Sequence, residues 1–581
     1  IHLDILEKWL GVLLRAATLI LGMAVAAGLA FLVWNAARSN ELIIDAFSVP
    51  PDLAQKGVSG EVLAGEVVDR LVEIQEGITT FRAPQTYANT FGESVKLEIP
   101  DTGISLAELD RFLREKLGNN THISGALVRT AAGLKLTARI GGVGSDSVEG
   151  AESDLDMLVQ RAADAIYNRT QPFRYATHIW QQGHNAEAHQ LFVELARSES
   201  PAEQAWAYLS LGATATDTSL STVSDTAVDA NIRFTARATQ LDPGNALAWS
   251  SYGLYREYQG WDEDALAATK KALALVSGEG HGKIRADYAL SFRKAVQARL
   301  DAGLGAFDAA AKEQVEFVAL GKIGMTPGNS ANAALYQAFA HDITAARATM
   351  ADPMPDNPGR IALGNVLKAR ARILIAQSAQ DWAGVLREMA ALGPQFPGLR
   401  SRYFPKALSA VAIAEARLGR FAQAEARISN MPADCYRCLI ARAQIAALQG
   451  QQARADWWFD RAAKAGPSMP FAQAEWGQAL LARGDLDGAI AKFVLANQKG
   501  PNFADPLEGW GEALMAKNQS HRALAKFSEA AKYAPNWGRL HLKWGEALFY
   551  AGKRSEARKQ FARAAQLDLT PSEKSELAGQ K

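Results

Sequence analysis

Four groups of residues in this chain are of types that carry chemistry. Cys435 and Cys438 are its only cysteines and form a single CxxC. Following Pro432 and Asp434, they stand where a helix begins; a helix N-terminus lowers a thiol's pKa, and a first-turn pair can close into a disulfide. A zinc site would need two further ligands at suitable spacing, and none is supplied nearby. Three readings stay open for Cys435 and Cys438: two small buried residues, a structural disulfide, or a redox pair. His178, His184 and His189 are spaced six and five apart, which puts them on different helix faces or different helices and favours packing or solvation over a metal. His341-Asp342 reads as a helix-end dipeptide with no nucleophile beside it. The stretch "GGVGSDSVEG" at 141–150 sets glycines after a strand, but without GxGxxG spacing or a phosphate-loop lysine it is expected to be a loop leaving a hairpin. HExxH and GxSxG are absent too, so no catalytic residue, metal site or cofactor is expected, and the chain does not read as an enzyme.

The elements that hold these residues follow a period. Trp476-Gly477, Trp510-Gly511 and Trp544-Gly545 stand 34 residues apart, and each heads the same downstream series: Ala489, Ala523 and Ala557; Phe493, Phe527 and Phe561; Ala496, Ala530 and Ala564; Pro501 and Pro535. A fixed period of this length marks a solenoid. One unit earlier, Gly450, Ala455, Phe459, Ala462 and Pro467 keep the register while Arg442-Ala443 replaces Trp-Gly. Tyr252-Gly253, Gly260, Ala265 and Ala272 make another unit, and Tyr175-Ala176, Gly183, Ala188 and Phe192 the first. The series resembles the tetratricopeptide repeat, TPR, two antiparallel helices with small residues at their crossing and an aromatic plugging the next repeat. A surplus between Gly212 and Pro243 falls in residues 214–224 and reads as a longer inter-helix loop. From Lys283 to Leu392 the chain is Ala-rich with helical periodicity, read as degenerate pairs that continue the array, with Pro353, Pro355 and Pro358 at a turn.

The TPR resemblance implies a job, the binding of proteins or peptides, and a place for it. First helices of such repeats line a concave groove. Carrying the positions across puts Phe471, Gln478 and Leu481, then Glu508, Glu512 and Met515, then Leu542, Glu546 and Phe549, with Tyr550 alongside, in that groove. The Lys and Asn that grip a C-terminal carboxylate in some family members are absent. A mixed apolar and acidic lining suits a segment with apolar anchors and basic flanks. Glu508, Glu512 and Glu546 are expected to be solvated and to form an acidic strip.

At the other end, Ala16 to Ala37 is a run of 22 residues without a charge, framed by Arg15 and Arg38. At about 1.5 Å per residue a helix of that length crosses the roughly 30 Å of bilayer hydrocarbon. Trp9 and Trp34 sit where interfacial aromatics belong. The apolar run is longer than a signal peptide's, and a retained single-span anchor is expected. Lys8 and Arg15 before the span against Arg38 after it favour a cytoplasmic N-terminus, hence a periplasmic bulk.

Between anchor and solenoid the period changes. "ELIIDAF" reads as a strand ended by Pro50-Pro51, and Val62, Leu63, Val67, Leu71 and Ile74 share one helical stripe. "SVKLEI" alternates as a strand; "SLAELDRFLREKL" opens with the capping-box pair Ser105 and Glu108. "THISGALVRT" and "LKLTARI" form a hairpin in which Leu134, Leu136, Ala138 and Ile140 alternate with polar residues, and a helix from Asp154 to Tyr167 closes the module. This β-α-β-α-β-β-α order is similar to modules that precede TPR arrays in some bacterial membrane signalling proteins, which implies a bacterial inner-membrane setting.

The expected fold is therefore mainly α: a transmembrane helix within 1–40, a small α/β sandwich over 41–168, and a TPR-type α-solenoid over 169–581. Lys plus Arg equals Asp plus Glu at 62 each, so no global basic field favours nucleic acid. The expected function is a membrane-anchored interaction scaffold or assembly subunit, with protein partners from a membrane complex, lipid around residues 16–37, and oligomers allowed. The alternative is a membrane sensor whose α/β module binds a ligand that the TPR array relays.

Overall fold

The computed structural model describes residues 2–89, 106–141, 144–217, 225–277, 284–321, 327–351, 361–392 and 404–580. The chain divides into two compact units, Ile1–Leu191 and Phe192–Lys581.

The first unit opens with helix α1 (His2–Ala37), whose stretch Thr18–Ala37 is long and apolar enough to cross a membrane and is almost wholly exposed. The side chain of Trp9 lies outside the described ones. Strand β1 (Leu42–Ile44), helices α2 (Pro51–Gln55) and α3 (Gly60–Gly77), strand β2 (Tyr87–Asn89) and helix α4 (Leu106–Leu117) follow. Then come the strands β3 (Thr121–Thr130), β4 (Gly133–Ile140) and β5 (Gly144–Gly150), and α5 (Leu155–Thr170). The strands make one sheet in the order β2-β1-β3-β4-β5, with β1 parallel to β2 and β3 and the last three strands antiparallel. Leu134, Leu136, Ala138 and Ile140 of β4 are buried against Leu63, Val67 and Leu71 of α3 and Ile166 of α5, so the alternation selects the covered face. Two expectations change here. Residues 144–150 form an edge strand rather than a loop, because hydrogen bonding to β4 needs only backbone while the alternating Ser145, Ser147 and Glu149 carry no apolar signal. The strand expected at "SVKLEI" and the Ser105–Glu108 cap lie outside the described residues.

Helices α6 (Pro172–Gln181) and α7 (Asn185–Leu195) follow. Arg174 of α6 is buried and donates to the Tyr167 hydroxyl at 2.9 Å and to the carbonyls of Arg82 at 2.7 Å and Gln75 at 3.0 Å, which satisfies its fork without a carboxylate.

The second unit is a stack of helix pairs: α8 (Pro201–Asp217) with α9 (Asp225–Leu241), α10 (Ala246–Gln259) with α11 (Asp262–Ser277), and α12 (Ala286–Gly303) with α13 (Phe307–Ala319). Next are α14 (Pro327–Phe339) with α15 (Ile343–Ala351), α16 (Ile361–Ser378) with α17 (Trp382–Ala391), and α18 (Pro405–Arg417) with α19 (Phe421–Ser429). The series ends with α20 (Tyr436–Leu448) and α21 (Gln452–Ala465), α22 (Phe471–Ala482) and α23 (Leu486–Lys499), α24 (Ala504–Ala516) and α25 (Ser520–Tyr533), α26 (Gly538–Tyr550) and α27 (Arg554–Ala564), then a single helix α28 (Pro571–Ala578). Of the loop expected over residues 214–224, residues 214–217 are helical, as α8 runs through Asp217, and 218–224 lie outside the described residues. Pro353, Pro355 and Pro358 lie outside the described residues.

The pairs do more than stack on their neighbours. The turns that begin the later first helices dock on turns far earlier in the chain. Before α20, Tyr436 N donates to the Gly260 carbonyl at 3.0 Å, and before α22 the Ser468 amide donates to Glu263 at 3.0 Å. At α24, Phe503 packs where a side chain on Gly305 would stand, and the Asp505 carboxylate meets His341 Nε2 at 2.9 Å. Before α26, Asn536 donates to Asp342 at 2.6 Å; before α28, Asp568 accepts from Thr344 at 2.7 Å. One apolar cluster accordingly joins Leu266, Leu300, Leu304 and Phe307 to Tyr436, Phe471 and Phe503. The array closes on itself along one side instead of leaving a wholly open concave face.

Candidate partner-binding groove

Each later pair is locked by a glycine facing an aromatic ring. A methyl on Gly477, Gly511 or Gly545 would come within 2.5, 2.6 and 2.5 Å of Phe493, Phe527 and Phe561, so at these positions only glycine lets the two helices of a pair meet. Phe493 also presses on Gly509 of the next first helix, so one ring joins two successive units. Phe459, Phe493 and Phe527 are fully buried, and Phe459 stacks on Trp476 of the following unit at 6.0 Å. Paired helices, a 34-residue step and a ring seated on glycine decide the repeat type. The solenoid is built of tetratricopeptide repeats.

No protein-family model matches the chain, and no curated protein matches it. Among solved structures it is similar to yeast Tom70, at 12% identity and a TM-score of 0.33 over 70% of this chain and 93% of that one. It is similar also to Pseudomonas aeruginosa pilF, at 16% identity and a TM-score of 0.26 over 28% of this chain and 75% of that one. A third is MamA AMB-1, at 19% identity and a TM-score of 0.23 over 28% of this chain and 96% of that one. At these TM-scores the likeness extends to no partner or activity.

The first helices α22, α24 and α26 of the TPR array carry the groove positions, and their environments differ. Phe471 is buried: it stacks on Phe307 at 6.0 Å, meets Phe503 edge-on at 5.4 Å, and carries the Arg437 guanidinium 4.0 Å above its ring. The closure of the array takes it out of the groove. Gln478 and Met515 are half-buried, Gln478 against Gly509 and Met515 against the cluster around Leu507 and Leu514. Leu481 is half-buried, whereas Leu542 is fully buried against Ala564 and Leu577. Only Phe549 and Tyr550 stand open, 44% and 71% exposed, as an edge-to-face pair 5.7 Å apart at the end of α26.

The three carboxylates do not form the solvated strip expected of them. Glu508 is 2% exposed and accepts from Arg539 Nε at 3.1 Å; the same guanidinium holds Glu512 and lies 3.6 Å from Glu573 of α28. Glu546 pairs with Lys543 at 3.2 Å, and Lys543 also binds Glu576 of α28. Each basic residue sits one turn before the next groove carboxylate position, so the neighbouring first helix and α28 neutralise the lining from within. The sequence held a signal for this, since Glu508 and Arg539 are 31 residues apart, one repeat less one turn. Burial and then the nearby Glu512 push the Glu508 carboxyl well above the usual range, against the pull of Arg539. Burial, with its hydrogen bond to Glu576, raises Glu546 to about 7. Beside this end of the groove lies a cavity of about 270 Å³ lined by His341, Trp537, Arg539, Thr570 and Lys574.

Of the other chemical candidates, Cys435 and Cys438 are joined by a disulfide with the sulfurs 2.10 Å apart. Cys435 is the N-cap of α20, accepting from the Cys438 amide at 3.1 Å, and both residues are 0% exposed. His341 sits in a left-handed conformation at φ 62°, stacked on Trp537 at 3.7 Å while it binds Asp505, so it serves the closure. His178 bonds to Gln182 within α6, and His184 faces Glu187 at 3.6 Å. Among the described residues no group of His, Cys, Asp and Glu is placed to hold a metal.

Sequence reasoning missed a second buried network. Glu257 pairs with Arg370 at 3.3 Å and Asp262 with Arg437 at 3.4 Å, partners drawn from α10, α16, α11 and α20. Burial alone would raise the Glu257 carboxyl, but Arg370, Lys406, Arg299 and Arg437 together hold it below the usual range. Lys406 is pushed down to about 7, by burial first and by Arg437 second.

Proposed function

We propose that the protein is a membrane-anchored scaffold: residues 1–40 tether it, 41–168 form an α/β module, and the TPR array over 169–581 captures partner proteins.

 The observation that carries this reading is the Phe549–Tyr550 pair, two large aromatic side chains left bare on the first helix of the last repeat, where the neighbouring positions are buried or ion-paired. Exposed aromatics of this kind are the usual anchors of protein interfaces. Beside them Arg539 and Lys543 are taken up by Glu508, Glu512, Glu546, Glu573 and Glu576, so the aromatic pair is the part of the lining left open to a partner. The aromatic pair suits a partner segment with apolar anchors. Membrane-complex subunits are the partner class we propose, with the bulk of the chain on the periplasmic side of a bacterial inner membrane.

The test is capture from native membranes in mild detergent with a photo-crosslinking residue in place of Tyr550. The crosslinker identifies the partner; Phe549→Ala with Tyr550→Ala should then abolish its co-purification and leave thermal unfolding within about 0.5 kcal/mol of wild type, as for other exposed sites. Recovery of the same partners at the same yield from the double variant places the binding surface elsewhere. Orientation is tested at the same position. Cys435 and Cys438 are buried and bonded to each other, so a Tyr550→Cys variant supplies the thiol for a membrane-impermeant reagent. Labelling in intact cells is expected, and labelling only after lysis reverses the orientation.

A further inference from the structure

We infer that α4 is a membrane-surface helix, its apolar face resting on the lipid beside the exit of α1. The inference rests on the proposed role of α1 as a span. At about 100° per residue, Leu106, Leu109, Phe112, Leu113 and Leu117 of α4 fall within an arc of about 140°, the width of a helix that lies on an apolar surface. The described side chains of α4 are not among those that build the core of the α/β module. Instead α4 packs against α1. Leu109 and Leu113, at the middle of the arc, are half-buried, while Phe112 and Leu117 at its margins are 55% and 44% exposed.

The end of α4 is fastened where α1 stops. Asn119 N donates to the Ser39 carbonyl at 2.9 Å, Asn120 Oδ1 accepts from the Glu41 amide at 2.9 Å and from Ser39 Oγ at 3.1 Å, and Arg114 pairs with Glu41. On α1 itself the Arg38 guanidinium lies 3.9 Å over the Trp34 ring, an aromatic and a cation at the level where an apolar span meets headgroups. A span that leaves the bilayer at Ala37 therefore holds Leu117 at the interface, and lipid that surrounds α1 also reaches the bare margins of α4. The charges of α4 balance, with Glu108, Asp110 and Glu115 against Arg111, Arg114 and Lys116, so the contact is apolar and needs no anionic lipid.

The full chain in nanodiscs of phosphatidylcholine tests this. Single cysteines at Phe112→Cys, Leu117→Cys, Gly28→Cys and Val128→Cys are labelled with an environment-sensitive fluorophore; the native pair is sealed in its disulfide and does not compete. Val128, exposed on β3, reports the aqueous baseline, and Gly28 reports the span. Labels at 112 and 117 should lose most of their emission to lipids carrying a quencher near the headgroup and little to a water-soluble quencher, equally at low and high salt. Label 28 should be quenched by lipids carrying the quencher deep in the chain. If 28 is quenched deep while 112 and 117 behave like 128, the inference is overturned and the span stands. If 28 also behaves like 128, the span reading fails and takes the inference with it.

Discussion

The last three TPR repeats and the helices from α10 to α19 are stacks of the same kind of pair, held by different means. In the repeats, Gly477, Gly511 and Gly545 admit Phe493, Phe527 and Phe561, and the same contact recurs every 34 residues. In the middle helices the joints are single events: Glu257 with Arg370, Asp262 with Arg437, Phe307 among Phe339, Phe471 and Phe503. Repetition gives the first region a ladder of like contacts between neighbours, to which residues 341 to 344 add three long-range ones. The second depends on contacts between helices more than a hundred residues apart in the chain, so its parts stand or fall together.

The largest effects separate the two most sharply. Phe527→Ala empties a fully buried site and should cost about 3–5 kcal/mol, with hydrogen-exchange protection lost mainly in α24 to α27. Arg370→Ala takes the nearest cation from Glu257, leaving it Lys406, Arg299 and Arg437, and should cost about 3 kcal/mol, but with protection lost in α10, α16 and α18 at once. Equal spread for the two variants would erase the distinction. A smaller loss, about 1–3 kcal/mol by overpacking, is expected for Gly511→Ala, because its methyl would meet the Phe527 ring at 2.6 Å; an unchanged midpoint in urea would mean that the pair can part without cost.

The smallest effect is one of sign with pH. Glu546 has its carboxyl raised from 4.5 to about 7, so the folded array binds the proton more tightly than the unfolded chain; its contribution is present at low pH and is lost as pH rises through that window. Lys406 is lowered from 10.5 to about 7, so the unfolded chain binds more protons there and stability rises with pH from about 7 towards 10.5. Glu546→Gln should flatten the fall of the melting temperature below neutrality, and Lys406→Met the rise above it. Identical pH profiles for wild type and both variants would show that neither group is coupled to folding.

The same contrast explains what the sequence made legible. A period is visible when one physical requirement recurs, and so the paired helices, the Trp-Gly register and the alternation of β4 could all be read directly. β5 could not, because its pairing is carried by backbone and its side chains are Ser, Asp, Val and Glu without an apolar face. Nor could the closure of the array, since Tyr436 N to the Gly260 carbonyl and His341 to Asp505 follow no common separation. The groove was legible as a set of positions and misjudged as an environment. Phe471, a groove residue by register, is covered by Phe307, and Glu508 and Glu512 are claimed by Arg539, which occupies no signature position.

One short turn has a consequence for how this chain can change in length. Residues 341, 342 and 344, from the turn after α14 into the start of α15, meet Asp505, Asn536 and Asp568, at the openings of α24, α26 and α28. The turn works as a three-toothed gauge. Repeat proteins ordinarily lengthen or shorten by whole units, since each touches only its neighbours. Here a unit inserted or deleted between α24 and α27 would put at least one tooth out of step with the others, so the number of repeats is a fixed dimension of the molecule.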